Sequence, residues 1–221
     1  MENYLSNELA KSISKTNVEM IDEFLNVCEN YYNKPCHNIA ELKQKNTKLK
    51  GDIFEEFCYR YMKICYGLKE IWYFKNIPED VRNKLNLGKN DMGIDFVGID
   101  FENKFYAIQA KYRKRKKNKK IGVTWKQLST FYALALKTGP YVKHIVFTNA
   151  DYVRHVGKKT KKDQTINYNK LKKISHFDWM KLADLNNNHV NIKDPDSDPD
   201  TKLSLENLRL KRLLYFEKIN K

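Results

Sequence analysis

Asp91-Met-Gly-Ile-Asp95-Phe-Val-Gly-Ile-Asp100-Phe-Glu-Asn-Lys-Phe105-Tyr-Ala-Ile-Gln109-Ala-Lys111-Tyr112 is the stretch on which the fold turns. Ile94 to Phe101 reads as one strand, Glu102-Asn103-Lys104 as a tight turn, and Phe105 to Tyr112 as a second strand, so the pattern predicts a β-hairpin. Side chains alternate across a strand with period two. Gln109 and Lys111 therefore share one face, and Ile108 and Ala110 point the other way into a core. Asp95 adds a third polar group from the neighbouring strand. A buried sheet holds polar groups at a free-energy cost unless something binds them, which marks this hairpin as a candidate site.

The residue types suit one chemistry in particular. Hydrolysis of a phosphodiester needs an attacking water, counter-charge for a phosphorane-like transition state and help for the leaving oxygen, and a divalent ion supplies much of this. Magnesium takes oxygen ligands, usually one or two carboxylates with waters and a substrate phosphate. Asp95 offers a carboxylate and Gln109 a side-chain carbonyl. Lys111 can hold the attacking water or neutralise developing charge. Glu55, on the margin of an apolar helical stripe upstream, can complete the cluster as a second carboxylate or through a water.

Outward from the hairpin, residues 50–66 form an amphipathic segment with Ile53, Phe54, Phe57, Cys58, Tyr61, Met62 and Cys65 as its stripe, stopped at Gly67. Residues 1–49 read as a helical extension, with Ile21, Phe24, Leu25 and Cys28 on one helix face and a short helix from Ile39 to Leu49. Ile71 to Phe74 predicts a short strand ended before Pro78, and 79–92 a polar connection. Thr124 caps a predicted helix to about Lys137, Gly139-Pro140 ends it, and His144 to Thr148 is an apolar strand. Helical tendency returns at 168–184 and 203–219, around an acidic linker containing Asp194 to Asp200. The resulting division is an N-terminal extension (1–49), a core (50–185), a linker (186–202) and a C-terminal helix (203–221), in the α/β class with a small sheet.

The chain has 221 residues and a net charge of +15, a balance that points to a polyanion, nucleic acid first. Eight of the ten residues from Lys111 to Lys120 are basic: Lys111, Arg113, Lys114, Arg115, Lys116, Lys117, Lys119 and Lys120. The run can track a phosphate backbone, serve as a nuclear-localisation-like patch, or be a solvated loop. Its position directly after the Gln109/Lys111 strand favours phosphate contact. Gln127 can reach the site or a phosphate, or stand as an exposed polar residue, and Asp91 orients the loop before Asp95 or caps a turn. The four cysteines lack zinc spacing. With no apolar run of membrane-spanning length and a polar start, the reading is an intracellular protein, cytoplasmic or nuclear, with no membrane partner.

These motifs carry a resemblance. Asp95 followed by Gln109-Ala-Lys111 resembles the D…(D/E/Q)xK signature of PD-(D/E)XK nucleases, in the glutamine form of the Mrr-like branch. Lys50-Gly51-Asp-Ile-Phe54-Glu55 resembles the Gly-x-x-Phe-Glu opening of that domain. The stretch as a whole is similar to nuclease modules of type ISP restriction enzymes and of large DNA viruses, so a viral origin is among the expectations. The resemblance covers roughly residues 50–150. It implies a restriction-endonuclease-like core, α-β-β-β-α-β, with a mixed central sheet flanked by helices and helical N- and C-terminal extensions. It implies metal binding at Asp95 and Gln109 with support from Glu55, a catalytic Lys111, and magnesium, which manganese can replace. The expected activity is metal-dependent endonucleolytic cleavage of DNA. A homodimer that cuts both strands and a partner supplying specificity are further expectations. An inactive or partner-dependent DNA-binding module of the same fold, and a nuclease directed at RNA, are the competing readings.

Overall fold

In the computed structural model the hairpin forms as a main-chain ladder: β2 (Phe96–Ile99) pairs antiparallel with β3 (Phe105–Lys111), Phe96 opposite Ile108 and Ile99 opposite Phe105. Asn103 takes the left-handed conformation that the turn needs, at φ 60°, which asparagine tolerates better than most residues. The structure describes residues 5, 6, 9, 19–32, 39–90, 93–115, 119–154 and 160–183. These fall in the first of two units, Met1–Asn186, the second being Asn187–Lys221. The expected linker and C-terminal helix, like Asp91, Cys36, Lys116 and Lys117, lie outside the described residues.

Around the hairpin, β1 (Glu70–Tyr73), β5 (Lys143–Thr148) and β7 (Asp163–Ile166) complete a five-stranded sheet in the order β1-β2-β3-β5-β7. The first two pairings are antiparallel, and the β3–β5 and β5–β7 pairings are parallel, so the sheet is mixed. Two short strands, β4 (Gly122–Val123) and β6 (Tyr152–Val153), pair separately.

Both faces of the sheet are covered. On one, Phe96, Ile108, Ala110, Ile145 and Phe147 meet the long helix α2 (Ile39–Ile64) through Phe54, Phe57 and Cys58. Helices α1 (Met20–Tyr32) and α6 (His176–Ala183) join this core with Phe24 and Trp179. On the other face, Val97, Phe105, Ala107 and Val146 pack with Phe131, Tyr132 and Ala135 of α4 (Ser129–Lys137), and with Val81 of the short helix α3 (Glu79–Lys84). This is a restriction-endonuclease-like α/β core, a mixed central sheet flanked by helices.

Several elements differ from the sequence reading. The short helix at 39–49 and the amphipathic segment from residue 50 are one continuous helix of 26 residues, because no glycine-proline break separates them. The polar connection at 79–92 contains α3. The helical tendency at 168–184 is split into α5 (Tyr168–Leu171) and α6, with a turn between them. Strand β7 went unpredicted because Asp163-Gln-Thr-Ile is polar, and its only fully buried member is Ile166.

Candidate active site

Asp95 stands where β2 parts from β3. Its N–H still donates to Ile108 O at 3.0 Å, and its own carbonyl accepts the Phe74 N–H at 2.8 Å. One step further along β3 the main-chain partner is replaced: Ala110 N–H donates to the Asp95 carboxylate, at Oδ2, over 2.7 Å. The side chain thus caps the opened ladder and is aimed by it. Gly93, two residues before, reaches φ 112° and lies so close to α4 that a Cβ there would stand 2.9 Å from Thr130 Oγ1. The approach to Asp95 therefore requires glycine.

Gln109 continues the register opposite Asp95 and faces the α4 side with Ala107 and Phe105. It is 4% exposed, and its Oε1 has no hydrogen-bond partner among the described residues. A buried carbonyl oxygen without a donor is costly, roughly 1–3 kcal/mol, and so marks a position that a ligand could satisfy. Lys111, two residues on, lies on the same face at the end of β3 and is half-buried. Its carbonyl accepts the Thr148 hydroxyl at 2.6 Å, which fixes the strand end on which the ammonium is carried.

Glu55 is carried by α2, whose apolar stripe packs on the Phe96 and Ile108 face of the sheet. Side chains on a helix lean toward its N-terminus, so Glu55 runs back over the preceding turn. Gly51 occupies that turn, and a Cβ there would stand 2.9 Å from Glu55 Oε1. The glycine of the Lys50-Gly51-Asp-Ile-Phe54-Glu55 motif thus leaves the room in which Glu55 lies. Cys58, on the next turn of the helix, feels both Glu55 and Asp95. Its thiol pKa is pushed well up, first by burial and then by the negative charges of Asp95 and Glu55. Glu56, by contrast, points away. It is buried, accepts Arg60 Nε–H at 2.8 Å and Tyr73 O–H at 2.7 Å, and belongs to the scaffold.

The basic run divides. Arg113 is half-buried. Lys114 Nζ is 3.6 Å from Glu29. Arg115 is held by Asp151 at 3.1 Å and by Asn149 O at 3.0 Å, and lies 3.8 Å over the Tyr168 ring. Lys119 and Lys120 are exposed. Gln127 is exposed too, and its Oε1 accepts the Thr124 N–H at 3.0 Å in a capping box, so its amide serves the start of the helix. Thr148, Asn149 and Asp151 were passed over in the sequence, although they lace the exits of β3 and β5 together. Their signal was the polar Thr-Asn-Ala-Asp that ends an apolar strand.

Among the described residues, no group of three or more His, Cys, Asp or Glu side chains could hold a metal ion. Asp95, Glu55 and Gln109 each carry an oxygen of the hard type that magnesium prefers.

A family model described as a restriction endonuclease (Mrr_cat_2) matches residues 64–189, more than half of the chain. The chain belongs to this restriction endonuclease family. Asp95, Gln109 and Lys111 lie inside the matched residues, and Glu55 lies before them. Family membership carries a nuclease-type function. Among solved structures, the chain is similar to one titled as the ATP-dependent type ISP restriction-modification enzyme LlaBIII bound to DNA, at 19% identity and a TM-score of 0.40. That likeness covers 58% of this chain and only 8% of the enzyme's length. No curated protein matches the chain. No helix among the described residues is long and apolar enough to cross a membrane.

Proposed function

We propose that this family member is a metal-dependent endonuclease that hydrolyses DNA phosphodiester bonds, with Glu55, Asp95, Gln109 and Lys111 as its site. The observation that carries the reading is the parting of β2 from β3 at Asp95. It sets a carboxylate opposite a buried Gln109 oxygen that has no hydrogen-bond partner among the described residues, and the covering helix carries Glu55. Glu55, Asp95 and Gln109 would hold magnesium, or manganese in its place. When bound, the ion supplies positive charge that stabilises the transition state at the scissile phosphate. Lys111 orients the attacking water or neutralises charge developing on the phosphate. Asp95 holds its place through the Ala110 N–H, so its orientation does not depend on substrate. Lys119, Lys120 and their neighbours contribute sequence-independent attraction to the backbone. A second copy of the chain would allow both strands to be cut, and a partner would supply sequence specificity.

One observation favours a second reading, a DNA-binding module that cuts only with a partner. Gln109 puts an amide where an acid would bring a further negative charge, which weakens metal affinity.

Supercoiled plasmid incubated with magnesium, manganese or EDTA separates the two. The expected result is metal-dependent nicking by the wild type that Asp95→Ala and Lys111→Ala abolish while both stay folded. Salt-sensitive binding without cleavage would favour the second reading. Cleavage that survives both substitutions would refute the site.

A further inference from the structure

The charges that follow Lys111 are not equivalent. Lys114 has Glu29 nearby, and Arg115 has Asp151 and the Tyr168 ring. Arg113 has no such counter-charge among the described residues. Its guanidinium is half-buried, and its Nε is sealed from solvent with no hydrogen-bond partner among the described residues. Burial lowers its pKa. Removing a cation from water without pairing it is expensive, so such a group costs the free protein stability.

The main chain beneath Arg113 is held from both sides. Asn149, itself fully buried, accepts the Arg113 N–H at 2.6 Å through Oδ1 and donates from Nδ2 to the Arg113 carbonyl at 2.7 Å. Thr148 holds the Lys111 carbonyl two residues earlier. The two side chains extend the β3–β5 pairing past the end of its ladder. A half-buried guanidinium on a fixed backbone, two residues beyond Lys111, suits an anion that presents two oxygens to a planar fork. A phosphodiester is such an anion.

We infer that Arg113 takes a DNA backbone phosphate immediately beyond Lys111, and that Asn149 is the residue that positions it. The inference rests on the DNA-directed reading above. It separates Arg113 from its exposed neighbours, whose attraction to the backbone is diffuse.

The test uses the full chain and a labelled DNA duplex in EDTA, over a series of salt concentrations. Arg113→Met lowers the slope of log K against log salt by about 0.9, the value of a single phosphate contact on B-DNA. Arg113→Lys keeps the slope and weakens binding, because the charge stays and the fork is lost. Lys63→Met, which removes an exposed charge from the last turn of α2, leaves the slope as it was. Thermal unfolding gives an independent readout: Arg113→Met melts at or above the wild-type temperature, since an unpaired half-buried charge has gone. An unchanged slope, or a variant that fails to fold, overturns the inference even if the wild type cuts DNA. A wild type that neither binds nor cuts DNA overturns the DNA-directed reading, and the inference with it.

Discussion

Two adjacent acids on one helix have opposite tasks. Glu56 is buried and bound to Arg60, which is 1% exposed and also donates to Ser6 Oγ at 2.8 Å and Leu182 O at 3.0 Å. Glu55 is half-buried, and its charge, like that of Asp95, raises the pKa of the buried Cys58 thiol further. Glu56→Ala removes a buried carboxylate that accepts from both Arg60 Nε and the Tyr73 hydroxyl and is expected to cost about 3 kcal/mol. Glu55→Ala removes a half-buried charge from the site, and stability should change little while metal-dependent cleavage is lost. Chemical denaturation of the two variants beside the plasmid assay checks the contrast. Equal destabilisation by both would mean that Glu55 is part of the scaffold.

At the scale of the element, α2 combines a load-carrying helix with the delivery of one side chain. Its apolar stripe fixes the helix on the sheet through Phe54, Phe57 and Cys58, with Glu55 half-buried beside it. Gly51 is the concession within it, since glycine weakens a helix interior by roughly 1 kcal/mol relative to alanine. Gly51→Ala should therefore raise helix stability by up to about that amount. The new Cβ, 2.9 Å from Glu55 Oε1 in the present geometry, would displace the carboxylate. The expected outcome is a higher melting temperature with reduced cleavage. A lower melting temperature, or full activity, would show that Gly51 has another purpose.

Across the whole molecule, stability should fall with acidification, and the sheet shows where. His144 on β5 is buried with Nδ1 3.5 Å from Asp163 Oδ1 on β7, its partner in the strand register. Burial pulls the His144 pKa below its usual 6.5, against the attraction of Asp163. Burial also opposes the Asp163 carboxylate, but the Thr160 N–H and hydroxyl together with His144 outweigh it and hold that pKa below its usual 3.8. Both depressed values have the same sign of linkage. As pH falls below about 6.5 the unfolded chain takes up a proton at His144 before the folded one does, so stability drops. Asp163 adds a further loss below pH 4 for the same reason. Melting temperatures measured from pH 8 to 5 should decline, and His144→Gln should flatten that decline. An unaltered decline in His144→Gln would place the acid sensitivity elsewhere.

The alternation in Phe105 to Lys111 and the stripe from Ile53 to Met62 were legible from the residues alone, because a strand's period of two and a helix's 3.6 are local properties of the chain. They suffice for the hairpin, the covering helix and the shared face of Gln109 and Lys111. The join of α1's neighbouring segment into one long α2, the polar strand β7 and the split of 168–184 were not legible. Each depends on which surface is available to pack against. The site divides in the same way. Its residue types could be named from spacing, but three features needed the tertiary structure. These are Asp95's capture of the Ala110 N–H, the room that Gly51 leaves for Glu55, and the internal pairing of Arg115 beside an Arg113 that has no counter-charge among the described residues. Periodicity acts between neighbours in the chain, whereas burial and charge pairing are set by whatever the fold brings alongside.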